Sequence, residues 1–226
     1  MSALVEIILP VFMVIGLGYA AVWRGVFIGR QIDALMTFAQ RFAIPLLLFR
    51  AISTLDLGAG YDIRLLASYY TGSVASFALG LFGARVLFAR GWSDSVAIGF
   101  AAFFANTVLL GLPITERAYG AGALAPTYAI ISVHSPFCYL LGITSMEVVR
   151  GMGNGIPATA GAVLRAMFRN TLVLAIGLGF IVNLSGWDLP GPVAEGFDLM
   201  IRAALPTALF ALGGVLYQYR PEGDLR

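Results

Sequence analysis

Apolar positions fall into seven long runs, approximately 4–23, 33–53, 64–88, 94–114, 124–148, 163–184 and 196–218, and most polar and charged residues collect between them. None of the runs alternates in the manner of a strand, and each approaches or exceeds the roughly 20 residues that a helix needs to cross a bilayer core. Hydrocarbon offers the backbone no water, so helices that close their own hydrogen bonds are the workable solution. The pattern predicts an all-α polytopic membrane protein with seven transmembrane helices. Composition agrees: 59% of residues are hydrophobic, 12% are charged and mean hydropathy is +0.88, whereas soluble domains are roughly one-quarter charged. The first run holds Glu6, follows no basic residue and shows no small-residue cleavage site before Trp23-Arg24, so it reads as a retained helix rather than a signal peptide.

The chain also repeats itself. Ile15-Gly16-Leu17-Gly18-Tyr19 returns as Ile176-Gly177-Leu178-Gly179-Phe180, and Arg41-x-x-x-Pro45-x-x-Leu48-Phe49 returns as Arg202-x-x-x-Pro206-x-x-Leu209-Phe210, both 161 residues later. Residues 4–55 laid on 165–216 share 11 identities, five of them on Gly, Pro and Arg. Five runs precede the Gly-, Asn- and Pro-containing stretch Arg150–Pro157, which breaks a helix. The expected division is therefore a first five-helix repeat at 1–150, a cytoplasmic linker at 151–162 and the start of a second repeat at 163–226. An odd number of helices per repeat inverts the second copy, an arrangement typical of secondary transporters, whose sites lie near the bilayer midplane. By the same offset, counterparts of residues 66–149 are lacking, and a full second copy would extend to roughly residue 310. The expectation is a fragment of a longer protein, or one that works with a complementing chain, with segments one, two, six and seven forming two inverted hairpins.

Charge orients the spans. All 14 basic residues are arginines; apart from Arg41, Arg50 and Arg202, which fall inside the second and seventh runs, Arg24, Arg30, Arg85, Arg90, Arg150, Arg165, Arg169, Arg220 and Arg226 lie on one side, and only Arg64 and Arg117 lie on the other. The positive-inside rule puts the N-terminus outside and the C-terminus in the cytoplasm. Arginines so dispersed do not form a nucleic-acid surface. One cysteine, Cys138, excludes a disulfide framework or a cysteine metal site, and no cofactor or metal is expected.

Three features could carry chemistry. In segment four, Asn106 and Thr107 precede Gly111-Leu112-Pro113; the proline removes a donor and the glycine relaxes the chain, so backbone bonding should fail between about 105 and 114. An opened helix offers amides and a partial positive charge to an anion, while an ordinary kink with Asn106 bonded to a neighbouring helix is the plainer alternative. His134 is the sole histidine and lies within a span, where an ionisable group is functional by default and can relay a proton. Its neighbour Ser135 cannot face it on a helix, so a Ser-His nucleophile is not supported. Segment three carries small residues at Ser68, Gly72, Ser76, Gly80 and Ala84, a stripe suited to close helix packing. Arg41 and Arg202, in equivalent places of the two copies, read as interfacial residues whose heads reach water.

Phe104-Ala-Asn106-Thr107-x-x-x-Gly111-Leu112-Pro113, Ile44-Pro45-Leu46-Leu47-Leu48-Phe49 and Pro206-x-x-Leu209-Phe210-x-Leu212-Gly213-Gly214 give the chain a resemblance, over its whole length, to the auxin efflux carrier family of bacterial and plant transporters. His134-Ser135-Pro136 with Gly142-x-Thr144-x-Met146-Glu147 looks like its bacterial branch, where malonate and malate permeases are the suggested activities. The resemblance implies ten helices in two inverted five-helix repeats, with the fourth helix of each repeat broken and the two breaks crossing near the substrate. Segments one, two, six and seven would form a scaffold that homodimerises through segments two and seven, and segments three to five would belong to a mobile transport domain. Plant carriers have proline before the crossover asparagine. Ala105 stands there in this chain, which shifts the expected break toward Gly111–Pro113 and speaks against plant-type auxin specificity. The absence of an adjacent pair of intramembrane aspartates weakens a cation/proton antiporter reading.

Together these observations predict a bacterial inner-membrane carrier of small organic anions, with Asn106, Thr107, Gly111, Pro113 and His134 as substrate contacts. The alternative is a non-transporting assembly or sensor protein on the same scaffold. No nucleophile, base and orienter recur at a usable spacing, so an enzyme is not expected.

Overall fold

The computed structural model describes residues 3–150 and 155–219, all of whose regular structure is helical. In chain order the helices are α1 (Ala3–Trp23), α2 (Gly29–Phe38), α3 (Ile44–Ser53), the short α4 (Leu57–Gly60), α5 (Ile63–Leu87), α6 (Trp92–Phe103), α7 (Leu112–Tyr119), α8 (Leu124–Arg150), α9 (Gly155–Arg169), α10 (Thr171–Ser185) and α11 (Gly191–Gln218). Among the described residues six continuous or nearly continuous stretches are long and apolar enough to cross a membrane, and Thr159–Arg169 with Thr171–Ser185 make a seventh if they are one broken span. The chain is thus an all-α membrane protein of the predicted class.

Two units are interleaved along the sequence. The first comprises the residues up to Thr54, Val108–Leu124 and those from Ala175 onward; the second comprises Leu55–Thr107 and Ala125–Leu174.

In the first unit α1 packs along α11, which also packs on α2 and α3, and α7 packs on α1. Here the repeat becomes physical. A Cβ added at Gly18 would overlap the Phe210 carbonyl, and one added at Gly179 would lie 2.8 Å from the Phe49 carbonyl. Gly18 corresponds to Gly179 and Phe49 to Phe210, so the same glycine–carbonyl approach is made twice with the partners exchanged between copies. Gly25 and Gly186, also equivalent, end α1 and α10 with φ of 72° and 65°, a left-handed conformation that glycine adopts without penalty.

The two Arg-x-x-x-Pro motifs differ in backbone. Residues Ala39–Ala43 form a π-turn between α2 and α3, closed by the Ile44 N–H on the Ala39 carbonyl. The widened turn makes room for Pro45, which has no N–H and whose ring would press on the Arg41 carbonyl. Pro206 instead lies inside the continuous helix α11. Arg41 and Arg202 are both exposed.

In the second unit α5 packs along α6, with Phe77, Leu81, Val96, Phe103 and Cys138 in one buried cluster. The buried positions of α5 are Ser73, Phe77, Leu81 and Ala84. The small-residue stripe only partly coincides with them: Gly80 faces Ala102 and Ala84 is buried, but Ser68 and Gly72 are exposed. Two large and two small side chains make up that buried face.

Segment six departs from the single helix expected at 163–184. Of the expected linker, 151–154 lies outside the described residues, whereas 155–162 is the start of α9, where alanines favour helix and Pro157 sits in a first turn that tolerates it. The helix then breaks at Asn170, whose Oδ1 accepts from the N–H groups of Leu172 (2.8 Å) and Val173 (3.3 Å) and restarts it as α10. Its Nδ2 donates to the Tyr139 hydroxyl at 2.6 Å.

Candidate functional site

Segment four is interrupted at Phe104–Asn106. Helix α6 ends as the Phe104 N–H donates to the Phe100 carbonyl at 3.0 Å; Phe104 then leaves helical geometry with ψ at 90°, and a π-turn at Thr107–Gly111 leads into α7. The expected displacement of the break toward Gly111–Pro113 is not observed. Pro113 falls in the first turn of α7, where a missing N–H costs little, and Gly111 closes the π-turn. Asparagine competes with its own backbone for hydrogen bonds and is itself a poor interior helix residue.

His134 of α8 belongs beside this break. The Phe104 ring lies 5.6 Å from the imidazole, centroid to centroid. Tyr69 and Tyr70 of α5 stand at 6.0 and 6.5 Å, and Nε2 is 3.6 Å from the Cys138 sulfur. The ring is only 4% exposed, yet Nδ1 has no hydrogen-bond partner among the described residues. A buried polar atom left in that condition typically costs about 1–3 kcal/mol.

Adjacent polar groups are paired within the protein. The Tyr70 hydroxyl donates to the Ile130 carbonyl at 2.8 Å, and the Tyr61 and Ser132 hydroxyls share a hydrogen bond of 2.7 Å. Tyr61 precedes α5, and burial holds its pKa above the usual tyrosine value, partly offset by the bond to Ser132. A groove of about 460 Å³ runs along α8 from Cys138 past Gly142 and Met146 to Arg150, so Cys138 both touches the histidine and lines open space.

Of the predicted site residues, Asn106, Thr107 and His134 belong to the second unit, the first two at the break and the third beside it; Asn106 is exposed and Thr107 half-buried. Gly111 and Pro113 belong to the first unit, within the π-turn and α7. Sequence reasoning missed Tyr69, Tyr70 and Phe104 as the surround of His134. Two successive tyrosines inside an apolar run were the available signal, since a buried tyrosine hydroxyl needs a partner.

Residues 3–154 match the sequence profile of a family described as membrane transport protein. Over 220 residues the chain is 24% identical to a protein of Rhizobium meliloti (strain 1021) whose name assigns it, provisionally, to malonate transport; the match covers 96% of this chain and 68% of that relative.

Proposed function

The chain belongs to the auxin efflux carrier family of membrane transport proteins, not to an enzyme family, and on that premise we propose that it carries a small organic anion, a carboxylate, by alternating access. The observation that carries this reading is the interruption at Phe104–Asn106 beside a buried histidine with a free ring nitrogen. Non-helical backbone at membrane depth is tolerated where it is buried in protein or lines a polar cavity, and ligand sites of such folds are built on discontinuous helices. Asn106 and Thr107 supply donors, His134 supplies a ring nitrogen, and Gly111 and Pro113 shape the start of the helical half that follows.

The relative's name directs attention to a C3 dicarboxylate. The protein is a bacterial inner-membrane protein with an external N-terminus, a cytoplasmic C-terminus and a homodimer contact through segments two and seven; arginine bias and the family resemblance support these assignments. Uptake of labelled malonate, malate and an indole-type carboxylate into vesicles tests the function. Dicarboxylate accumulation that Asn106→Ala abolishes supports it, and accumulation indifferent to that substitution removes the site.

A further inference from the structure

We propose that the coupling ion is a proton and that His134 carries it: a substrate carboxylate is held at Nδ1 only after the imidazole has taken up a proton, so anion and proton bind together. The inference rests on the carboxylate reading above and adds the ion. Among the described residues His134 is the only histidine, aspartate, glutamate or arginine that is buried. The contacts reaching its ring come from Tyr69 and Tyr70 on α5, from Phe104 at the end of α6, and from Cys138 on its own helix. The titratable groups facing it are therefore two tyrosine hydroxyls and a thiol, with no charged side chain among those contacts.

Hydrogen-bond chemistry does the rest. Nε2 faces the Cys138 sulfur at 3.6 Å, which can accept from a ring N–H. Nδ1 has no partner, and because an unpaired buried N–H is rarer than an unpaired acceptor, we place the hydrogen on Nε2 and a lone pair on Nδ1. A carboxylate is also purely an acceptor and cannot pair with a lone pair. One proton from solvent converts Nδ1 into an N–H and the ring into a cation, and the approach becomes a charge-assisted hydrogen bond. In apolar surroundings an imidazolium alone or a carboxylate alone is costly, whereas the pair is tolerated. In the other tautomer, with hydrogen on Nδ1 and Nε2 accepting from the Cys138 thiol, the anion would bind without a proton.

Because His134 is the sole histidine, imidazole ¹⁵N labelling of the tag-free chain in lipid nanodiscs reports on this one ring. Malonate is titrated while calorimetry in two buffers of different ionisation enthalpy counts protons. The expected result is a ring that passes from the Nε2–H tautomer to the doubly protonated form, uptake of one proton per malonate, and a Kd that rises about tenfold per pH unit above the pKa of the unoccupied ring. His134→Gln should abolish proton uptake; if that variant does not fold, the wild-type spectrum and proton count decide. Malonate binding with the ring still neutral, or without proton uptake, overturns the proposal and leaves the carboxylate reading standing. Absence of binding by malonate, malate and an indole-type carboxylate alike overturns both.

Discussion

Both units answer broken backbone from within, as Asn170 does in the second, but only the second also leaves a buried side-chain nitrogen without a described partner. In the first, disrupted backbone is answered by the protein itself. Pro10 has no N–H to give the Glu6 carbonyl, and Arg117 of α7 supplies the bond at 3.2 Å while donating to the Ile7 carbonyl at 3.1 Å. The carbonyls of Ile52 and Ser53, at the C-terminal end of α3 where helices leave acceptors unpaired, receive Asn183 at 2.9 and 3.2 Å. The second unit contains the interruption at Phe104–Asn106 and, a few ångströms from it, a buried Nδ1 that no described group satisfies. Pairing polar groups stabilises a body, and one left open is available to something that comes and goes. The proposed function assigns scaffold to the first unit and ligand contact to the second.

The most severe way to break the comparison is to spoil the closed unit. Gly18→Leu places a side chain against the Phe210 carbonyl and should cost about 3 kcal/mol or more, read as a large drop in melting temperature in detergent. Gly16→Ala, where nothing lies within 4 Å, should be neutral or slightly stabilising. If both behave alike, the repeat-related close approach does not hold the unit together.

The open unit should respond in activity instead. Asn106→Ala is expected to lower transport at least tenfold, about 1.4 kcal/mol in the rate, with melting unchanged within measurement. A matched fall in melting temperature would make Asn106 a packing residue and erase the contrast.

Arg117→Gln sharpens the comparison at an intermediate scale. Arg117 is exposed, so its loss should cost about 1 kcal/mol. In a Pro10→Ala background the Glu6 carbonyl regains a helical donor, and the same substitution should cost at most half as much. An undiminished cost in the double variant shows that the proline does not create the need for the arginine.

The smallest effect concerns Tyr61. Tyr61→Phe removes one bond to Ser132, which keeps its own bond to the Ala129 carbonyl at 2.8 Å, and should cost about 0.5–1.5 kcal/mol. The folded pKa of Tyr61 lies above its unfolded value of 10.0, so its contribution is complete below pH 10 and is lost as pH rises through the folded value. Melting curves from pH 8 to above pH 10 should show a shallower alkaline decline in the variant than in wild type.

The sequence by itself determined whatever depends on period, length and short-range chemistry. Seven apolar runs required helices because lipid cannot hydrate a backbone. The repeat was legible because Gly18 and Gly179, like Gly25 and Gly186, meet the same local demand in each copy, and Asn106 marked the interruption to within its own turn. Tertiary structure decided what depends on neighbours distant in the chain. Identical Arg-x-x-x-Pro motifs yield a π-turn at Ala39–Ala43 and an unbroken α11 at Pro206, since each proline's relief depends on what packs around it. The break stops short of Gly111–Pro113 because a proline in the first turn of a helix does not need to break it. Tyr69 and Tyr70 enclose His134 although more than sixty residues of sequence separate them. No window of sequence contains both sides of that contact, and only packing could leave Nδ1 buried and without a partner.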